Sequence, residues 1–557
     1  MTHPTINGKP VHPAARMYAE EFRAGKISRR EFLTRATSMG VTAAGAYAMI
    51  GLPLPARAQA EAQEGGTLRV QMDVLALKDP RTWDWSHMAI YGGGWLEWLV
   101  EYENDGTFKP MLLEAWEFND DATEIVLNVR QGVTWNNGDP FTAEDVAHNF
   151  RRWCDGTVEG NSMASRMTAL ADPETRQARE GAIEVVDERT VRLNLSQPNI
   201  AIIAEVTDYP AAVVHPSYDD GDFMGEGQAI GTGPYLPESL EVGVRGVLVR
   251  NPGHAWWGKE VHGGATLDRI EFIDYGTDPA SWLAALESEE VDMLYESVGE
   301  FIEIMDSLEL VKSEAVTAST VCIRPNQRAE VNGMRPYEDV RVRRALQLAC
   351  DNAVILELGY SGLGIPAENH HVCPIHPEYA ELPPPAYDPE RARQLMEEAG
   401  MADFEHELIS IDDDYRKNTT DAVAAQLRDA GINVRRTILP GATFWNDWTN
   451  FPFSSTNWNQ RPLGVQVLQT GYRSGEPWNE SGYANPEFDA ALAEALSLAD
   501  ADARREVMAR LQTMLQEDGV VIQPYWRSVY RHYRENVTGA EMHPGFELKV
   551  YKLGLAA

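Results

Sequence analysis

The chain has 557 residues, 43% of them hydrophobic and 24% charged, which is long enough for two or three cores and too apolar for a disordered chain. Its formal charge of −37 repels nucleic acid and anionic lipid, which excludes a role on DNA or on a membrane surface. Residues 1–60 contribute 8 basic and 3 acidic side chains, so the remainder carries −42. The acidity reads as solubility rather than as an acidic site for cationic ligands. Cys154, Cys322, Cys350 and Cys373 form no CxxC pair, which argues against a thioredoxin-like site or a zinc ribbon and leaves one structural disulfide open. Cys350 shares a helical face with Val342, Ala345, Leu346 and Ala349 and reads as a buried thiol.

Residues 1–27 are polar without a periodic pattern. Ser28-Arg29-Arg30-Glu31-Phe32-Leu33 then precedes an apolar run from Thr37 to Leu52, closed by Ala58-Gln59-Ala60. Paired arginines, a weak apolar core and an A-x-A end read as a twin-arginine export signal, with Arg29 and Arg30 as the recognised pair and cleavage after Ala60; the alternative is a real N-terminal helix of the fold. The run is too short and too rich in Ala and Gly to anchor in a bilayer. No cysteine near the cut offers a lipid anchor, so the expected product is soluble in the periplasm.

Residues 67–72 are the first expected strand. Ile125, Leu127 and Val129 alternate with Val126, Asn128 and Arg130, the period of a strand with one face buried. Asn136-Asn137-Gly138-Asp139-Pro140 is a tight turn. Thr142 caps the next helix through its hydroxyl, Glu144 and Asp145 face the positive end of its dipole, and Val146, Phe150 and Trp153 recur at helical spacing. Strands follow at 182–186, 190–195 and 267–273, and a helix at 279–289 puts Trp282, Ala285 and Leu286 on one face. Asp388 caps a helix that Pro389 starts and Gly400 ends. A strand at 405–411, a helix at 420–430 stopped by Gly431 and a strand at 432–439 predict a βαβ unit in a parallel sheet. Asn485-Pro486 and Asp502 start two more helices, and 520–526 and 546–551 read as closing strands. No later segment reads as transmembrane.

As one string, residues 130–146, with Trp135, Asn136-Asn137-Gly138-Asp139-Pro140-Phe141-Thr142 and Glu144-Asp145-Val146 at their centre, resemble the signature of extracellular solute-binding proteins of family 5, which serve peptide, opine and nickel ABC importers. Gly231-Thr232-Gly233-Pro234-Tyr235, Asn251-Pro252 with Trp256-Trp257, residues 339–346 with Asp351, and Asp388-Pro389-Glu390-Arg391-Ala392 extend the resemblance, in the family's order, over nearly the whole mature chain. It implies an α/β, two-lobed fold of the type II periplasmic binding protein kind, with an extra subdomain in the first lobe. After the signal at 1–60, lobe 1 is expected at 61–97, 229–315 and 522–557, the inserted subdomain at 98–228 and lobe 2 at 316–521. The implied function is the substrate-binding subunit of an ABC importer, a monomer with no cofactor that closes two lobes on a solute and presents it to a membrane permease. The lobes would be joined by strands near Thr320 and Ile522. In the family the region of Trp85, His87 and Tyr91 borders the ligand cleft; aromatics at this density build a binding wall or a core.

His370, His371, Cys373 and His376 gather around Pro374, donors that suit zinc or nickel, and some family members bind nickel complexes. The loop lacks the i, i+4 spacing of a metalloenzyme pair, so no resident metal is expected and His371 lines the cleft or packs. A twin-arginine signal also exports cofactor enzymes, which makes a periplasmic metal or redox enzyme the rival reading. For that rival the chain has no Rossmann glycine fingerprint, no clustered cysteines, no G-x-S-x-G and no H-E-x-x-H.

Trp458-Asn459-Gln460-Arg461-Pro462 and Trp478-Asn479-Glu480 form the remaining polar clusters. In dipeptide-binding relatives the tryptophan matching Trp458 is followed, three residues on, by an aspartate that pairs with the peptide amine. Here Arg461 holds that place. A guanidinium in a closing cleft is answered by a ligand carboxylate or by a fixed protein acid, and the first option predicts a zwitterionic or anionic peptide-like solute. Trp458, Asn459, Arg461, Trp478, Asn479 and Glu480 are therefore candidate ligand-binding residues, with Glu480 as a possible cation site; the alternative for each charge is a solvated loop residue.

Overall fold

The computed structural model describes residues 5–6, 9–10, 12–53, 62–119, 122–219, 222–225, 227–498 and 500–557. Ala58, Ala60 and the expected cut after Ala60 lie outside the described residues. Among these residues an 11-stranded sheet runs through both halves of the molecule. At one end lie Tyr235–Glu241, Arg245–Arg250, Arg269–Ile273, Thr67–Gln71 and Met293–Leu294; at the other lie Phe453–Trp458, His406–Ile411 and Val434–Leu439. Two long strands, Val311–Pro325 and Tyr525–Tyr533, pair antiparallel in the middle and carry the chain from one half to the other. Their register shifts between Val316 and Thr320. Side chains replace the interrupted ladder there: Thr317 Oγ1 donates to Arg527 O at 2.7 Å, Thr320 Oγ1 to Tyr525 O at 2.7 Å, and the Ala318 N–H to Gln460 Oε1 at 3.0 Å. A bulge that keeps its backbone groups satisfied is a joint, not a defect.

In the second half His406–Ile411 pairs in parallel with Val434–Leu439, with helix Tyr415–Asp429 between them, which is the expected βαβ unit. In the first half a separate four-stranded antiparallel sheet joins Leu113–Phe118, Glu124–Val129, Thr190–Asn194 and Ile183–Asp187. Ile125, Leu127 and Val129 are buried, as their alternation predicts. Gly138, at φ +97°, turns the chain so that Asn136 donates from its backbone to Gly231 O and from its side chain to Ala229 O. The next helix, Ala143–Cys154, starts in a capping box of Thr142 and Asp145, in which the Thr142 N–H and hydroxyl both donate to Asp145 Oδ2, at 2.6 and 3.0 Å.

Three readings need correction. Residues 546–551 form no strand; Phe546 sits at φ +61° and Val550–Lys552 is a 3₁₀ turn, and the alternation of apolar residues arises because an irregular segment packs into the first half's core. Residues 520–524 precede the strand that begins at Tyr525, Ile522 making only an isolated bridge to Ile323. Residues 13–23, within the stretch read as patternless, form a helix, and residues 12–53 are helical as a group. They form helices Pro13–Arg23, Arg29–Ser38 and Ala43–Met49, and the first buries Ala14, Ala15, Tyr18 and Ala19, a face too small in side-chain volume to stand out in the sequence. Phe32, Leu33 and Ala36 share the core of the four-stranded sheet, Trp116 Nε1 donates to Ser38 O at 2.8 Å, and Thr34 Oγ1 donates to Gly106 O at 2.8 Å. Arg29 donates to the Tyr47 hydroxyl and Arg30 to that of Tyr102. Across the joint, Glu31 pairs with Arg505 at 2.6 Å and Lys26 with Asp502 at 2.8 Å. All four cysteines are buried and free. Among the described residues no helix is long and apolar enough to cross a membrane.

Candidate functional site

The carboxyl ends of strands from both halves converge on one cleft, where open α/β sheets hold their ligands. Asp73 follows Thr67–Gln71, Tyr295 and Glu296 follow Met293–Leu294, and Thr277 follows Arg269–Ile273. Opposite them, Asp413 and Asp414 follow His406–Ile411, and Asn459 follows Phe453–Trp458. The space between them is partly open to solvent. The two halves touch across it. Trp85 and Trp445 rings lie 4.1 Å apart, Thr277 Oγ1 donates to Asp412 O at 2.7 Å, and Asn459 Nδ2 reaches Ser86 Oγ at 3.4 Å.

Two charges in the cleft are answered by protein groups: Asp413 pairs with Arg416, which also donates to Asn457, and Glu296 lies 2.8 Å from Arg527. Asp73 has no hydrogen bond or ion pair among the described residues. Burial, and then the neighbouring Asp274, push its carboxyl up to about 7 against the pull of Arg416. Burial and Asp413 raise Asp414 to about 6. His87 is driven down to about 3 by burial and then by Arg416, so it is neutral. Trp85 Nε1, His87 Nδ1 and Asp414 Oδ2 are buried without a hydrogen-bond partner. Each such atom costs about 1–3 kcal/mol, and a polar solute in the cleft removes that cost.

Of the residues expected from the sequence, Trp85, His87 and Asn459 line this cleft. Tyr91 packs in the first half's core, its hydroxyl donating to Ser239 O at 2.8 Å. His371 is buried, with Nδ1 2.9 Å from the Tyr472 hydroxyl. His370 turns to Glu368 and His376 accepts from the Cys373 N–H, so the loop's imidazoles face separate partners. Arg461 is 3% exposed; its Nε donates to Asp208 Oδ2 at 2.8 Å and its Nη2 to the Tyr209 hydroxyl at 2.9 Å. A fixed protein acid therefore answers Arg461, and its charge says nothing about the solute. Glu480 pairs with Arg324 and accepts from Trp458 Nε1 at 2.8 Å. Trp478 stacks on Tyr209, and Asn479 Nδ2 closes its own turn through Arg473 O and Tyr483 O. These residues build two buried polar networks beside the cleft, each held by a partner distant in sequence. The residues that sequence reasoning missed are Asp73, Glu296, Asp413, Asp414, Arg416 and Trp445. One signal was present: Asp412-Asp413-Asp414 directly follows a strand of the parallel sheet.

A profile of the bacterial extracellular solute-binding proteins, family 5 Middle, matches residues 107–480, more than half of the chain. The chain belongs to that family. Similar members include heme-binding protein A of Haemophilus influenzae, 23% identical over 75% of this chain and 79% of that protein. The probable peptide ABC transporter periplasmic-binding protein y4tO of Sinorhizobium fredii is 23% identical over 88% and 92%. The crystal structure of Haemophilus influenzae OppA in complex with the peptide RPPGFSPFR has a TM-score of 0.78 at 18% identity, covering 89% of this chain and all of that one. AgaA of A. tumefaciens in complex with agropinic acid has a TM-score of 0.76 at 20% identity, covering 88% and 99%. The fold is thus that of family 5 binding proteins over nearly its full length.

Proposed function

We propose that the protein captures a small peptide-like solute in the periplasm by closing its two halves and presents the closed form to the permease of an ABC importer. The observation that carries this reading is the set of three buried polar atoms without partners, on Trp85, His87 and Asp414, which face one cleft from both halves. Relatives named as periplasmic and peptide-binding support the compartment and the class of cargo. The protein acts as a monomer, since one copy supplies both walls of the cleft. Arg29 and Arg30 direct it through the twin-arginine route, with cleavage after Ala60. A solute bound only by the closed form favours closure by its own binding energy, and at one hundred times its dissociation constant it stabilises the protein by about 2.7 kcal/mol. Small-angle scattering of the purified protein, with and without a peptide that raises its melting temperature, tests the mechanism. The radius of gyration is expected to fall on binding; an unchanged radius despite proven binding refutes capture by closure.

A further inference from the structure

Four carboxylates, of Asp73, Glu296, Asp413 and Asp414, line the cleft against one guanidinium, that of Arg416. Arg416 is committed to Asp413 and Asn457, and Arg527 to Glu296. Asp73 and Asp414 remain without a counter-ion. Around them, Asp274 accepts the Val74 and Gly276 N–H groups at 2.9 and 2.8 Å, Glu300 adds negative charge beside Asp414, and Lys417, the cation near Asp414, pairs with Asp412 at 3.6 Å. His87 is neutral. An anion entering here would meet this surplus with no free donor cation, and burying it so would cost several kcal/mol.

We infer that the cleft selects solutes bearing a positive group, an alkylammonium or guanidinium, held between Asp73 of one half and Asp414 of the other, with a solute acceptor meeting Trp85 Nε1. The inference rests on the reading of this cleft as the solute site. Trp85, Trp282, Trp445 and Tyr295 line the same space and offer π faces that attract a cation. Arg416 already lies 5.3 Å from the Trp445 ring centroid, so this wall accepts positive charge. Near neutral pH the two free acids keep part of their protons in the empty cleft, and a cation between them restores the ionised forms. The overall charge of −37 draws cations toward the cleft from a distance.

The probes are three tripeptides, Gly-Lys-Gly, Gly-Gln-Gly and Gly-Glu-Gly, each with a free and with an acetylated amino terminus, measured by calorimetry. Peptides with a positive group are expected to bind, the acetylated Gln and Glu peptides to bind at least tenfold more weakly, and Asp73→Asn with Asp414→Asn to abolish the difference. Trp85→Ala, which keeps both acids, should weaken all binders alike while the charge preference survives. Equal binding of the acetylated Glu and Lys peptides, failure of every cationic probe, or an unchanged preference in the double variant overturns the inference. The broader reading has its own readout: closure seen by scattering with any probe keeps solute capture even where the charge preference fails.

Discussion

A guanidinium at position 461 has the same chemistry whether it faces a solute or a carboxylate 253 residues upstream, and only the fold decides which. Arg461 and Glu480 were legible as groups needing partners; that Asp208 and Arg324 are those partners was not, because nothing local marks a contact between distant segments. Trp85 and His87 were legible through the family resemblance, whereas Asp73 stands alone in the sequence as one acid among many. Its setting makes it testable. Burial holds its carboxyl at about 7, whereas the value for an unperturbed aspartate is 3.8, so the folded protein keeps a proton that the unfolded chain releases. Stability of the ligand-free protein therefore falls as pH rises from about 4 to about 7 and stays reduced above. Asp73→Asn removes that titration. Its melting temperature is expected to exceed the parent's at pH 8 and to converge on it toward pH 4; an equal difference at both pH values would show that Asp73 is not the source.

At the scale of elements, the βαβ unit and the strand at Glu124–Val129 could be read because period and caps are local properties. The segment after Phe546 was misread because alternation of apolar residues also arises where irregular chain covers a core. The family resemblance implied a joining strand near Thr320, but the bulge in it gave no sequence signal, since a bulge satisfied by side chains looks like ordinary strand. Its dependence on one amide can be measured. Gln460 Oε1 accepts from the Ala318 N–H, and the Gln460 N–H donates to Ser319 Oγ at 3.1 Å. Gln460→Ala leaves a buried N–H without an acceptor and is expected to cost about 1–3 kcal/mol in urea unfolding. A loss below about 0.5 kcal/mol, the range of an ordinary surface change, would mean that the joint does not depend on this bond.

The whole molecule packs residues 12–53, the segment proposed as its export signal, into one of its cores. Replacing Arg29 and Arg30 by lysine keeps the charge and loses the planar fork; precursor is expected to accumulate uncleaved in the cytoplasm, and an unchanged periplasmic yield would refute the twin-arginine route. The helix that carries these arginines, Arg29–Ser38, lies against Trp116 and Gly106 and also meets Arg505. In the uncleaved chain this docking is intramolecular, with an effective concentration on the order of millimolar. A receptor for the arginine pair must compete with that internal partner. Cleavage would change the molecularity of the contact. The same helix would become part of a separate molecule at far lower concentration and would leave, exposing Trp116 and the apolar residues packed around it to solvent.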